Sequence, residues 1–164
     1  MKSLITALIT TIFIISAQAQ TVTIAPDSTG MYTYREVIET GLGAEQNYNR
    51  VKNYIAINYR SANDVIQFDI KEQIIAKGIF TVSHTMVTHY IHHTLVIDIK
   101  DNKIRITYRD FRVTVKDQDN RFEDKGHWLS FPNKDKTIKK ASEKLSEIMK
   151  DLRSNITTPV KDDW

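Results

Sequence analysis

Four of the five histidines in this sequence lie close together, namely His84, His89, His92 and His93. Imidazole nitrogens are common metal ligands and general bases, so such a cluster suggests metal-assisted or hydrolytic chemistry. In a strand, however, His92 and His93 point to opposite faces, and His89 and His93 stand about 13 Å apart on one face. No neighbouring carboxylate completes a ligand set. We therefore expect no metal site and no cofactor, and we keep an enzyme that uses these four histidines as the alternative function.

Arginines form a second candidate site in the segment that follows. Arg105 and Arg109 fall on one face of a predicted strand, and Arg112 joins them beyond an irregularity described below. A guanidinium binds carboxylate or phosphate through charge-assisted hydrogen bonds. The sequence predicts that this face receives an anionic ligand or a partner carboxylate; the candidate ligand-binding residues are His92, Arg105, Arg109, Arg112 and Trp128. The alternative is a solvated sheet face with cross-strand ion pairs such as Asp98–Arg105.

Other motifs of catalysis are missing from the sequence. It contains no GxSxG or GxxxxGK, and Gly41 and Gly43 lack the third glycine of a dinucleotide-binding loop. Residues 117–123 resemble a fragment of a calcium loop, but Phe122 and Trp128 stand where glycine and glutamate are needed. Since no set of nucleophile, base and orienting group can be identified, we expect no catalytic residue.

Residues 90–115 are predicted to form the β-hairpin that positions both candidate sites. Apolar and polar residues alternate until Asp101–Asn102, which are typical of a tight turn. A two-residue turn places Asp98 opposite Arg105. In the second strand the apolar phase moves from even to odd positions, which indicates a β-bulge near Arg109–Asp110.

Apolar spacing elsewhere predicts three further strands and two helices. The strands are expected at 31–40, 65–70 and 74–82, and the helices at 44–59 and 134–153. Asn47 is expected on the solvent side of the first helix. Residues 83–89 are expected to form a loop or an irregular strand end, and residues 116–133 a long loop. Gly78 inside a strand indicates a bulge or close packing against a helix. This order implies an α+β layer, an antiparallel sheet with both helices packed on one face.

The N-terminus predicts export. Lys2 precedes an apolar run at residues 4–15, and Ala17-x-Ala19 follows as a signal-peptidase site. The run is short for a membrane span. The predicted organisation is a signal peptide at 1–19, an N-terminal arm at 20–30, one α+β domain at 31–153 and a flexible tail at 154–164.

Composition narrows the location and the partners. The sequence has no cysteine, so neither lipid attachment at the first mature residue nor thiol chemistry is possible. We expect a periplasmic or secreted protein that is not a lipoprotein and has no stable membrane span after signal cleavage. Removing Lys2 leaves 22 basic residues against 20 acidic ones. This near-neutral balance, with export, argues against a nucleic-acid partner.

Several stretches between residues 31 and 115 carry a resemblance to a known family. They are the first strand ending at Gly41, the helix around Tyr48, the VIQFDI strand, the IAKG run and the KDNKIRITYRDFRV strand. Together with the signal peptide, they resemble a bacterial family of domains of unknown function with a TBP-like fold. Its members typically have a tryptophan near the end of the first helix, where this chain has Tyr54 and Tyr59. The resemblance implies a β-α-β-β-β-β-α fold and brings no established activity, substrate, cofactor or catalytic residue.

The predicted function is therefore that of a non-catalytic exported domain of the bacterial envelope. It would recognise a small ligand or an envelope protein through the open face of the sheet or the loop at 116–133. Fold analogy alone is a poor guide to function, so the hypothesis depends on the site residues.

Overall fold

A computed structural model describes residues 22–59, 65–84, 86–115, 118–124 and 134–158 of the chain. Within these ranges the chain forms seven strands and two helices. The strands are β1 (Ala25–Pro26), β2 (Tyr32–Glu39), β3 (Ile66–Ile70), β4 (Gln73–His84), β5 (Val87–Lys100), β6 (Lys103–Val115) and β7 (Gln118–Arg121). The helices are α1 (Ala44–Asn58) and α2 (Lys134–Thr157). Neither helix is long and apolar enough to cross a membrane.

The strands form one antiparallel sheet in the order β1-β2-β6-β5-β4-β3, with β7 also paired to β6. Both helices pack on one face of the sheet. One row of paired residues across β3, β4, β5, β6 and β2 shows this; its members are Asp69, Ile74, Ile97, Ile106 and Glu36. The three isoleucines of this row are fully buried. At one end, α1 contacts Asp69, and at the other, α2 contacts Glu36. The predicted α+β class and the single covered face are confirmed.

The central hairpin confirms its predicted register. Asp98 pairs with Arg105 across β5 and β6, and the turn holds only Asp101 and Asn102. Asn102 has a φ of 65°, a left-handed conformation that asparagine tolerates. The phase change in β6 is a bulge, because two residues, Asp110 and Phe111, lie opposite His93. Asp110 takes the strained conformation there, with a φ of 56°.

The turn of this hairpin also caps the N-terminus of α1. The Asp101 carboxylate accepts a hydrogen bond from the Ala44 amide at 2.7 Å, so the cap of the helix comes from a residue 57 positions away. Asn47 is fully buried and donates to the carbonyls of Leu42 and Lys100. The expectation that Asn47 faces solvent is therefore wrong, because its amide joins α1 to the hairpin.

The ends of the domain are more ordered than the sequence suggests. Val22 and Ile24 of the predicted arm are buried, and the Ile24 amide donates to Ser142 Oγ of α2 at 3.0 Å. The predicted tail begins too early, because α2 continues to Thr157 and buries Ile156. Arg50 of α1 donates to the Ile156 carbonyl at 2.6 Å and so satisfies an end group of α2.

Two segments without a clear apolar pattern contain strand. Within 83–89, where a loop or an irregular strand end is expected, β4 continues to His84 and β5 begins at Val87. Within 116–133, β7 occupies residues 118–121 and extends the sheet beside the second half of β6. These polar segments lack the alternation that identifies a strand, and they are ordered by pairing to neighbours that are already in the sheet.

Arg153 of α2 and Glu36 of β2 form the most enclosed ion pair among the described residues. The guanidinium binds both carboxylate oxygens, at 2.7 and 2.6 Å, and the Glu36 side chain is only 8% exposed. The Tyr34 hydroxyl also bonds to Glu36. Burial, with the Glu36 carboxylate as its bonded neighbour, raises the pKa of Tyr34, so its phenol stays neutral. This network fixes α2 to the edge half of the sheet.

Replacing Arg153 with methionine should lower the free energy of unfolding by about 3 kcal/mol, because the Glu36 carboxylate would lose its counter-charge while buried. Urea denaturation of both proteins at neutral pH measures the difference. The control is Lys140→Met, whose partner Glu143 is half exposed; it should leave the free energy of unfolding nearly unchanged, because solvent screens an exposed pair. Equal effects of the two substitutions would contradict this role for Arg153.

Candidate binding site on the open face of the sheet

The register identifies the side chains on the face away from the helices, here called the open face. His92, Arg105, Arg109 and Arg112 all lie on it, since the bulge lets Arg109 and Arg112 share one side. The structure therefore brings together four of the five candidate residues. Trp128 lies outside the described residues.

Two of these arginines are engaged in ion pairs. Arg105 donates from Nε to Asp98 at 2.8 Å, and Gln73 binds the other oxygen of that carboxylate. Partial burial raises the pKa of Asp98, but the hydrogen bonds from Gln73 and Arg105 outweigh it and hold the pKa below its usual value. Arg112 pairs with Asp119 of β7. The cross-strand pair predicted as the alternative is thus present, and these two cations are largely neutralised.

The middle of the face is different. Lys77, Thr94 and Arg109 occupy one row on β4, β5 and β6. Among the described residues, the one ion pair of Arg109 is with its neighbour Asp110 at 3.6 Å, and it is weak because both side chains are half exposed. Lys77 makes no ion pair within the described part of the chain. Two strand spacings separate the backbones of Lys77 and Arg109, about 10 Å, so their long side chains can reach one anion above Thr94.

The sequence pattern does not identify Lys77 as a residue of the candidate site. Its alternation with the buried Ala76 and Gly78 predicts the face it occupies, but not which strand lies beside it. The pairing of β4 with β5 supplies that information. We define the central cation row as Lys77, Thr94 and Arg109, with His92 one row away and bonded to Thr114 at 3.0 Å.

Apolar side chains flank the central cation row on both sides along the strands. Phe68, Ile75 and Val96 form the adjacent row across β3, β4 and β5, and Ile79 lies on the other side. Phe68 is 43% and Ile79 58% exposed. Cavities of about 570 and 460 Å³ lie along this face, one lined by Lys77 and Thr94 and the other by Ile75 and Arg109. The face therefore offers positive charge beside apolar surface.

The histidines do not converge. His92 lies on the open face and His93 on the covered face, as their strand positions predict, and His89 is buried. His84 ends β4, and its side chain lies outside the described part of the structure. Among the described residues, no three side chains of His, Asp or Glu are placed to hold a metal ion.

His93 instead packs among aromatic rings. Its ring centroid lies 5.4 Å from that of Phe80 and 5.1 Å from that of Tyr108. Its Nε2 lies 3.5 Å from the Tyr59 hydroxyl, the limit of a hydrogen bond. Burial lowers the pKa of His93 to about 4, so the imidazole is neutral near neutral pH. Gly78 allows this packing, because a Cβ there would lie 2.5 Å from Tyr59 and 2.7 Å from His93.

The antiparallel sheet with two helices on one face defines an α+β domain of the TBP-like class. The family described as a domain of unknown function (DUF4468) with TBP-like fold matches residues 34–114, and the chain belongs to this family. The match covers β2 to β6, which hold the central cation row. No curated protein matches the sequence.

Two solved structures share the fold. A TBP-like protein from Parabacteroides distasonis has 11% identity and a TM-score of 0.70, with 81% of this chain and 97% of that chain covered. A DUF4468 family protein from Bacteroides ovatus has 12% identity and a TM-score of 0.58, with 85% and 94% covered. At these identities the likeness concerns the fold alone.

The buried His93 should make stability depend on pH. The pKa of His93 in the folded protein lies below the unfolded value of about 6.5, because burial favours the neutral imidazole. Its contribution to the free energy of unfolding is therefore complete above about pH 6.5 and is lost as the pH falls toward about 4. When the pH is lowered from 7 to about 4.5, the free energy of unfolding should fall by on the order of 2 kcal/mol more in the unmodified protein than in the His93→Phe variant. Urea denaturation at the two pH values measures this. Carboxylates contribute equally to both proteins, and identical losses would contradict the assignment.

Proposed function

We propose that this chain is a non-catalytic binding domain exported to the bacterial envelope. Its ligand is a carboxylate that carries an apolar group, held on the open face. The observation that supports this most is the central cation row, where Lys77 and Arg109 flank Thr94 without a strong ion pair among the described residues. Cations held apart in this way attract an anion that sits between them.

The adjacent apolar row supports the second half of the proposal. An exposed apolar side chain costs free energy in water, and a group of such side chains marks a contact surface. Phe68 is 43% exposed and lies in this row beside Ile75 and Val96. A ligand that places its carboxylate over Thr94 can lay its apolar part along Ile75 and Phe68. The carboxylate can belong to a small molecule or to a side chain of an envelope protein, and the recognition chemistry is the same.

The alternative function, an enzyme that uses the histidine cluster, gains no support from the described geometry. His92 and His93 lie on opposite faces, and His89 is enclosed in the core. Catalysis needs a nucleophile, a base and an orienting group within hydrogen-bond reach of one another. No observation favours that function over binding.

Octanoate is a simple probe of the proposed site, with 1-octanol as the uncharged control. Octanoate should shift the backbone amide resonances of the central cation row in a saturable manner, and 1-octanol should not. The double variant Lys77→Met/Arg109→Gln should weaken octanoate binding at least about 10-fold, since each lost charge-assisted bond is worth roughly 1.5–3 kcal/mol. Lys150→Met, on the exposed side of α2, should have no effect.

Native mass spectrometry of the protein purified from its own host separates the two ligand sources. A bound small mass that is lost in the double variant identifies a small molecule. A bare protein that cross-links to an envelope protein, and loses that cross-link in the double variant, identifies a side-chain carboxylate. Octanoate shifts that persist unchanged in the double variant would contradict the proposed site.

Export makes a separate prediction about the N-terminus. After expression of the full chain in a bacterial host, the protein of the envelope or medium should begin at Gln20, because Ala17 and Ala19 fit the small pockets of signal peptidase. Intact-mass measurement checks this. Ala19→Arg should block cleavage and keep the precursor mass, whereas Thr21→Ala, just after the site, should be processed normally. An intact N-terminus in the unmodified protein would contradict the export proposal.

A further inference from the structure

On the covered face, a cleft of about 650 Å³ opens between the end of α1, β4 and α2. We call it the helix-side cleft. Its walls include Tyr54, Tyr59, Phe80 and Ile148; His93 lines it from β5 and Lys144 from the outer side of α2. It lies on the covered side of the sheet, and the exposed Lys77 of the central cation row lines its outer part. Lys77 has no part in the binding inferred for this cleft, which does not rest on the proposed function.

Two polar atoms in this cleft are only weakly bonded to each other. The Tyr59 hydroxyl and His93 Nε2 are 3.5 Å apart, too far for a strong bond with each other. A hydroxyl placed between them can lie about 2.8 Å from both, which is the usual length for such bonds. His93 is only 5% exposed, so the long contact at Nε2 leaves a buried nitrogen poorly bonded. Buried polar groups are normally well paired, and a nearer partner at Nε2 would complete this one.

Both polar groups are uncharged. Burial lowers the pKa of His93 to about 4 and raises the pKa of Tyr59 to about 12. Near neutral pH the cleft therefore presents a neutral imidazole and a neutral phenol among aromatic rings. A charged group placed beside them would lose hydration that these neutral groups replace poorly. The charged residues of the lining, Lys77, Lys144, Glu147 and Asp151, are exposed or partly exposed and so lie at its outer side, where Lys144 is paired with Glu147 at 2.6 Å.

We propose that the helix-side cleft binds a neutral aromatic molecule that carries a hydroxyl group. The ring packs against Tyr54, Phe80 and Ile148, and the hydroxyl bridges Tyr59 and His93. The volume suits a molecule of one or two rings, because ligand pockets of about 300–1,000 Å³ enclose molecules of that size and larger.

Three one-ring probes test the proposal on the purified protein. They are 4-ethylphenol, ethylbenzene and 4-ethylbenzoate, which share a ring and an ethyl group and differ in the polar substituent. The ¹⁵N resonances of the His93 imidazole report hydrogen bonding at Nε2. We expect 4-ethylphenol to shift them in a saturable manner, ethylbenzene to bind about 5-fold more weakly, and 4-ethylbenzoate not to compete.

Two variants locate the binding in the cleft. Tyr59→Phe keeps the ring and removes the hydroxyl. It should lower the affinity for 4-ethylphenol about 5-fold and leave the affinity for ethylbenzene unchanged. Ile148 is partly exposed on α2, so the larger side chain of Ile148→Trp should fill the cleft and weaken the binding of both probes. The control is Tyr48→Phe, since Tyr48 also belongs to α1 but bonds to Asp69 at 2.8 Å, outside the cleft. Thermal unfolding confirms that each variant is folded.

Several results would overturn the proposal. Equal affinity for 4-ethylphenol and ethylbenzene would show that the polar pair selects nothing. Unchanged 4-ethylphenol affinity in Ile148→Trp would place binding elsewhere. Unsaturable shifts with all three probes, with water molecules alone bonded to Tyr59 and His93 in a crystal soaked with 4-ethylphenol, would assign the spare capacity to hydration.

Discussion

The bulge at Asp110 and Phe111 determines how the rest of the structure is arranged. It shifts the register of β6 by one residue, so both halves of this strand turn apolar side chains toward the helices. Without it, Phe111 and the apolar residues after it would face the open side. The same shift puts Arg109 and Arg112, an odd and an even position, on one face. The bulge also divides the outer edge of β6 between β2 and β7.

The two faces of the sheet offer different electrostatic environments within a few ångströms of each other. On the open face, charged groups are solvated and partly paired, so an anionic ligand gains only where the pairing is incomplete. On the covered face, the helices exclude water and keep the imidazole of His93 neutral. One strand, β5, contributes to both environments through adjacent residues, because its side chains alternate between faces.

Local pattern was sufficient for the hairpin and its bulge. The turn at Asp101–Asn102 determines which residues of β5 and β6 pair. The change of apolar phase within β6 indicates the bulge, because a one-residue slip would otherwise turn the apolar side chains to the other face. Pairing between distant strands left no comparable signal. Lys77 and Arg109 became part of one row only through the contacts of β4 with β5 and of β5 with β6. The sequence therefore predicts the face of the candidate site and its three arginines, including Arg109 of the central cation row, but not Lys77, which completes that row.

Errors at the ends of elements have a common physical cause. The alternation of apolar and polar residues identifies a strand or helix that buries one side, and it fails for segments held by other contacts. β7 is polar and is ordered by pairing with β6. The last turn of α2 is held by Ile156 and by Arg50 of α1. Neither contact can be identified from the residues of the segment itself.

The cap of α1 has a consequence for the order in which the chain folds. Asp101 satisfies the first amide of the helix from 57 residues away, and Asn47 bonds to the same hairpin. An isolated helix of 15 residues is marginal in water, so α1 gains these bonds only once β5 and β6 have closed their two-residue turn. Because the contacts of the hairpin are local, we expect it to form first and α1 to complete on it. On this view, a chain emerging from N- to C-terminus carries an unfinished first helix until most of its sheet has been made.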